Sequence, residues 1–153
     1  MDEIRELYQE VILDHNKNPR NFHVMENADA ELEGYNPLCG DHYTFYVRYD
    51  DSETKRIAEV SFTGNGCAIS KASASIMSAF IKGKTKDEAE HYFNLFHDIV
   101  VGKKSAADHI EELGKLAAFA GVSEFPMRVK CATLPWHTLH GAITGEDTTI
   151  STE

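Results

Sequence analysis

Val60-Ser61-Phe62-Thr63-Gly64-Asn65-Gly66-Cys67-Ala68-Ile69-Ser70 is the stretch in which the chain changes its period. Before it, apolar residues recur at every second position. Tyr43, Phe45, Val47 and Tyr49 alternate with Thr44, Tyr46 and Arg48, and a second run over about 56–63 puts Ala58, Val60 and Phe62 on one face. That is strand spacing. After it, Ile69, Ala72, Ile76 and Phe80 recur at helical spacing, and the helical period then persists. The polar link Asp50-Asp51-Ser52-Glu53 between the two strands is short, which favours antiparallel pairing. Strands gathered early and helices gathered late predict an α+β fold, a small antiparallel sheet packed on one face by several helices.

Towards the N-terminus, residues 2–17 read as an amphipathic helix. Ile4, Leu7, Tyr8, Val11 and Ile12 form its apolar face, and Asn18-Pro19 ends it. Residues 18–30 read as a connecting loop, followed by the turn-rich Gly34-Tyr35-Asn36-Pro37-Leu38-Cys39-Gly40-Asp41. Towards the C-terminus, Thr85 and Glu88 have capping-box spacing and open a helix with Ala89, Tyr92, Phe93, Phe96 and Val100 on its apolar face. A further helix is expected over about 107–120, carrying Ile110, Leu113 and Leu116, with Gly121 where a C-cap belongs. The last, about 128–143, follows Pro126 and carries Cys131. There are no repeats and no linker, so the expectation is a single domain over 1–145 with a polar, frayed tail at 146–153.

At 153 residues the chain is long enough to bury a core, and its net charge of −10 disfavours nucleic acid and anionic membranes as partners. No apolar run has the length of a membrane span. The start Met1-Asp2-Glu3-Ile4-Arg5-Glu6 lacks the pattern of a signal peptide, so the expected location is cytoplasmic. Three cysteines, an odd number, cannot form a closed disulfide set, and in a reducing compartment they are thiols, thiolates or ligands.

By count alone these cysteines are compatible with three small buried hydrophobes, and no C-x-x-C is present. Their surroundings point further. Cys39 and Asp41 flank Gly40, which lets the backbone bend so that both neighbours face one centre. Cys67 follows Gly64-Asn65-Gly66 and precedes a helix, whose free N–H groups and dipole favour a thiolate. Arg128 and Lys130 stand beside Cys131 and lower its thiol's pKa by charge. Three thiolates and one carboxylate complete a tetrahedral zinc shell of net charge −2, which the two cations offset. Gly40, Gly66 and Lys130 are the supporting residues of this set. Two other classes stay open: a metal-free thiol enzyme or redox sensor built on Cys67, and a structural zinc interaction module. A metal shared by Cys131, His137 and His140 is disfavoured, because His137 lies roughly 240° round the helix from Cys131. His91, His97 and His109 have no ligand spacing. Gly64-Asn65-Gly66 lacks the ending of a P-loop and reads as a tight turn.

Asn36-Pro37-Leu38-Cys39-Gly40-Asp41, Gly64-Asn65-Gly66-Cys67-Ala68-Ile69-Ser70 and Arg128-Val129-Lys130-Cys131, in this order, resemble the U-type iron–sulfur scaffold family (IscU, the NifU N-terminal domain, SufU). Ala72-Ser73-Ala74-Ser75 and Cys131-Ala132-Thr133-Leu134 leading to Trp136-His137-Thr138-Leu139 fit as well, so the likeness spans nearly the whole chain. Within the family it looks like the SufU branch. Lys130 stands where scaffold members have a histidine, Phe125-Pro126-Met127-Arg128-Val129-Lys130 departs from their Leu-Pro-Pro-Val-Lys motif, and the helical span between Cys67 and Cys131 is longer. The resemblance implies a zinc-dependent sulfurtransferase that takes persulfide sulfur from a SufS-type cysteine desulfurase. Cys39 would be the sulfur acceptor, Arg128 would stabilise the anionic sulfur, and a downstream iron–sulfur scaffold would be the recipient. The IscU type instead builds a transient [2Fe–2S] cluster on the same four ligands.

Overall fold

The computed structural model describes residues 2–37, 40–51, 53, 55–145 and 150–151, the side chains of 2–8 and 150–151 excepted. Helix α1 (Asp2–Lys17) leads into three strands, β1 (Ala30–Asn36), β2 (Asp41–Tyr49) and β3 (Ile57–Asn65). Helices α2 (Ala68–Ile81), α3 (Lys86–Val100), the single turn α4 (Ile110–Leu113) and α5 (Pro126–Thr144) follow. Two 3-10 segments, Ala106–His109 and Gly114–Glu124, flank α4, and a short β4 (Ile150–Ser151) comes last.

The sheet order is β3-β2-β1-β4, with β2 antiparallel to both β1 and β3 and β4 parallel to β1. One face carries Leu32 from β1, Tyr43, Phe45 and Val47 from β2, and Val60 and Phe62 from β3, all buried in the core against the helices. The α+β expectation holds. The free edge of β3 is occupied by the 18–30 segment: Phe62 N–H donates to Asn21 O at 3.0 Å, and Phe22 forms an isolated bridge with Phe62.

Four elements differ from the sequence expectation, the shortest being β4, which pairs with β1 within the tail expected to be frayed. Strand β1 lies across residues read as loop and turn. Its inward positions are Leu32, Gly34 and Asn36, of which one alone is a large apolar residue. Gly34 is required there by close approach, since a Cβ would collide with the Thr138 side chain of α5. In β3 the register shifts opposite Arg48 and Tyr49, which pair with Glu59 and Ile57, leaving Ala58 as the extra residue of a β-bulge. Ile57 therefore enters the core in place of Ala58.

The expected helix over 107–120 is mostly 3-10, and Gly121 does not adopt the left-handed conformation of a C-cap. The large buried residues here are Leu113, Leu116, Phe119 and Val122, spaced by three, with the small Ala117 buried beside them, and a 3-10 helix aligns every third side chain. Gly114, at φ +52°, ends the α turn. The other helices follow expectation. The Thr85–Glu88 capping box is made in both directions, and Gly145 ends α5 at φ +87°.

Candidate metal centre

Asn36 and Asp41 face each other across the β1–β2 hairpin, at the end of the sheet nearest its loops. Their side chains point to the helix side and both are fully buried. Gly40 closes the hairpin: its N–H donates to Asn36 O at 2.9 Å, with φ +72°, a conformation that favours glycine. At the same end, the turn from β3 into α2 places Cys67 as the helix N-cap, its sulfur accepting from Ser70 N–H at 3.4 Å. Helix α5 crosses above and directs Cys131 from its second turn into the same space, 2% exposed.

Asp41, Cys67 and Cys131 thereby bring one carboxylate oxygen and two sulfurs within 4.8 Å of one another. Asp41 Oδ1 accepts from Cys67 N–H at 2.7 Å, which fixes the carboxylate to the helix start. Its Oδ2 accepts from the Asn36 side-chain amide at 3.5 Å and from the Cys67 thiol at 3.9 Å. The Asn36 amide also reaches Cys131 Sγ at 3.6 Å, so one buried side chain touches two of the three converging groups. The Cys67 thiol is held down to about 6, chiefly by its hydrogen bond with Cys131 and then by the Ser70 N–H, against burial, which pushes it up. Ser70 Oγ lies 3.6 Å from Cys67 Sγ and 2.8 Å from the Tyr43 hydroxyl. Burial pushes the Tyr43 hydroxyl up, so it stays protonated.

The remaining sequence candidates are placed as follows. Cys39, the third predicted sulfur, lies outside the described residues. Gly66 belongs to the site: a Cβ would run into the Tyr43 hydroxyl, Ser70 Oγ and Asp41 Oδ1. Lys130 is half-buried, one residue before Cys131. Arg128 is exposed on the first turn of α5, its guanidinium 4.8 Å above the Phe125 ring. It lines a groove of about 530 Å³ together with Ile69, two residues beyond Cys67. His137 faces away from the buried Cys131, as the angular argument requires. Asn36 and Tyr43 are additions that motif reading did not single out as site side chains. Tyr43 was legible in principle, since it follows Asp41 by two on a strand and shares its face.

Two thiols and a carboxylate, converging at an N-cap beside a buried amide donor, form a donor set that suits a borderline divalent metal such as zinc. The pattern of these residues along the chain has counterparts. The NifU-like N terminal domain family matches residues 7–132, spanning Asp41, Cys67 and Cys131. The chain belongs to this family.

Among members of the NifU-like family, a Bacillus subtilis (strain 168) protein named zinc-dependent sulfurtransferase SufU is 40% identical, over 92% of this chain and 92% of that one. A Streptococcus pyogenes serotype M1 protein named iron-sulfur cluster assembly scaffold protein IscU is 37% identical, over 94% of this chain and 86% of the other. A crystal structure from Fervidobacterium islandicum AW-1, described as an iron-sulfur cluster assembly scaffold protein for the SUF system, superposes with a TM-score of 0.79 at 40% identity. It covers 88% of this chain and 94% of its own. The chain is thus an IscU/SufU-like member of an iron–sulfur cluster assembly family, and its Asp41, Cys67 and Cys131 form a candidate metal site.

Proposed function

We propose that this protein is a zinc-dependent sulfurtransferase that accepts persulfide sulfur from a SufS-type cysteine desulfurase in the cytoplasm and passes it to iron–sulfur cluster assembly. The observation that carries this reading is the convergence of Asp41, Cys67 and Cys131 within 4.8 Å. Cys39, two residues before Asp41, is the fourth ligand of the proposal. Lys130, in place of the histidine of scaffold members, and the 40% identity to the Bacillus subtilis sulfurtransferase support the transfer reading over the scaffold reading.

Bound zinc keeps its thiol ligands ionised at neutral pH. Asp41, Cys67 and Cys131 would hold the ion, with Asn36 and the Cys67 N–H orienting the carboxylate. The Cys39 thiolate attacks the outer sulfur of the desulfurase persulfide. A new S–S bond forms on Cys39, the persulfide S–S bond breaks, and the desulfurase cysteine leaves as a thiolate. Arg128, on the exposed start of α5, pairs with the anionic sulfur.

Elemental analysis of freshly purified protein, followed by a sulfur-transfer assay with desulfurase and cysteine, tests the reading. About one zinc per chain without iron or acid-labile sulfide is expected, with sulfur uptake lost in Cys39→Ala. Iron and sulfide in matching amounts would establish the [2Fe–2S] scaffold instead. Zinc without any sulfur uptake would leave a structural zinc module.

A further inference from the structure

Two thiolates and a carboxylate around a divalent ion leave an excess negative charge, and here Asp41 and Cys131 are both buried. Buried charge is costly unless a hydrogen-bond donor faces it. Arg128, a cation expected to offset this charge, stands exposed over the Phe125 ring. The side chain that reaches both buried groups is neutral. Asn36, fully buried, brings its Nδ2 to 3.5 Å from Asp41 Oδ2 and 3.6 Å from Cys131 Sγ. We propose that Asn36 is a positioning residue of the metal centre, whose amide N–H groups draw charge from Cys131 Sγ and Asp41 Oδ2 and so set how strongly each holds the metal.

The backbone makes the placement. Asn36 pairs with Asp41 across β1 and β2, and the Asn36 carbonyl closes the hairpin by accepting from Gly40 N–H at 2.9 Å. The turn is thus made by the Asn36 main chain, while its side chain faces the converging groups. Their chemistry orients the amide: a carboxylate and a thiolate are both acceptors, so the NH₂ end faces them and not the oxygen. Asp41 Oδ1 is taken by the Cys67 N–H at 2.7 Å, which leaves Oδ2 as the oxygen for a metal. Asn36 therefore meets the ligating oxygen and a ligating sulfur together. Both contacts are long for neutral groups, and ionised acceptors shorten and strengthen such bonds. Groups behind a metal ligand tune the bond it makes. Hydrogen bonds to sulfur act in this way at iron–sulfur centres, and the same withdrawal of charge applies to a thiolate on zinc or cobalt.

The inference rests on the metal-binding part of the proposed function and not on sulfur transfer. The test titrates CoCl₂ into protein stripped of metal with a chelator and reads the thiolate-to-cobalt charge-transfer band. Asn36→Val removes both donors and keeps a residue that suits a strand. Its band should move to longer wavelength, because a thiolate without the N–H bond gives up an electron more readily. Its Co²⁺ affinity should fall roughly 10–100-fold. Should Asn36→Val not fold, the smaller Asn36→Ala gives the same reading. A purely structural role would lower affinity and leave the band in place, so an unmoved band overturns the inference whatever the affinity. A wild type with no thiolate band would refute the metal reading, and this inference with it. A band that shifts in a protein that takes up no sulfur keeps the role of Asn36 and removes only the transfer reading.

Discussion

Gly66 is fixed by what surrounds it, not by its own backbone. A single methyl there would meet the Tyr43 hydroxyl, Ser70 Oγ and Asp41 Oδ1 together, three atoms that position the donors. Gly66→Ala is therefore expected to weaken zinc binding by roughly 10–100-fold, the range seen when groups behind metal ligands are disturbed. Competition against a chromophoric chelator measures it, and unchanged affinity would mean that the turn yields at no cost to the site. The convergence of Asp41, Cys67 and Cys131 was legible from sequence as a candidate set, because the neighbours of these residues have a chemical reason to be there: a glycine bend before Asp41, a helix start at Cys67, adjacent cations at Cys131. Asn36 was not legible as a site side chain. It touches Asp41 and Cys131 only because β1 pairs with β2 in a register that sets Asn36 opposite Asp41. A reading that takes this stretch for a turn has no way to place it.

The same limit operates on whole elements. The two strands with apolar alternation were found, whereas β1 was hidden by the small or polar residues at two of its inward positions, Gly34 and Asn36. Those residues serve neighbours: Gly34 admits Thr138 of α5, and Asn36 bonds Asp41 and Cys131 of the candidate metal site. The bulge at Ala58 was hidden because pairing register belongs to two strands at once. The segment after α3 shows a period that was misassigned. Leu113, Leu116, Phe119 and Val122 are spaced by three throughout, which fits a 3-10 segment better than an α-helix. Gly114→Ala separates the two conformations by sign. In a continuous α-helix, replacing glycine by alanine stabilises by up to about 1 kcal/mol. Here Gly114 sits at φ +52°, ψ −125° with open space around its Cα, so backbone strain is the dominant effect. The variant should lose about 1–3 kcal/mol in urea unfolding. A gain would mean that the α-helix is the better description.

At the scale of the molecule, the thiolate centre is held by the sheet end, α2 and α5, and α2 is in turn clamped from its outer side by α1. The clamp is polar. His15 Nδ1 meets Ser75 Oγ at 2.7 Å, Arg20 N–H donates to the same hydroxyl at 2.8 Å, and Asn21 reaches Ser78 Oγ at 3.0 Å. No sequence pattern announces this joint, because a helix of alternating alanine and serine reads as packing alone. His15 is 3% exposed, and its Nε2 has no hydrogen-bond partner among the described residues. Burial, with Arg20 and Lys115 nearby, pushes its imidazole down to about 4. In the unfolded chain the ordinary value is about 6.5, so between pH 6.5 and 4 the unfolded state binds the extra proton. Stability therefore falls as pH drops through that window and is independent of His15 ionisation above it. Glu88 and Glu112, whose carboxyls are held below their usual range, also lose stability as pH falls, but they do so equally in a His15 variant; Asp14, lowered chiefly by its Arg20 hydrogen bond, owes His15 only the smallest of its contributions. His15→Gln removes the titrating group while keeping a side chain able to bond Ser75. Urea midpoints from pH 7 to 4.5 should fall less steeply for His15→Gln than for wild type, with the variant the less stable of the two at pH 7. Parallel slopes would mean that the imidazole takes up its proton without leaving the fold, and that the joint between α1 and α2 tolerates a buried charge.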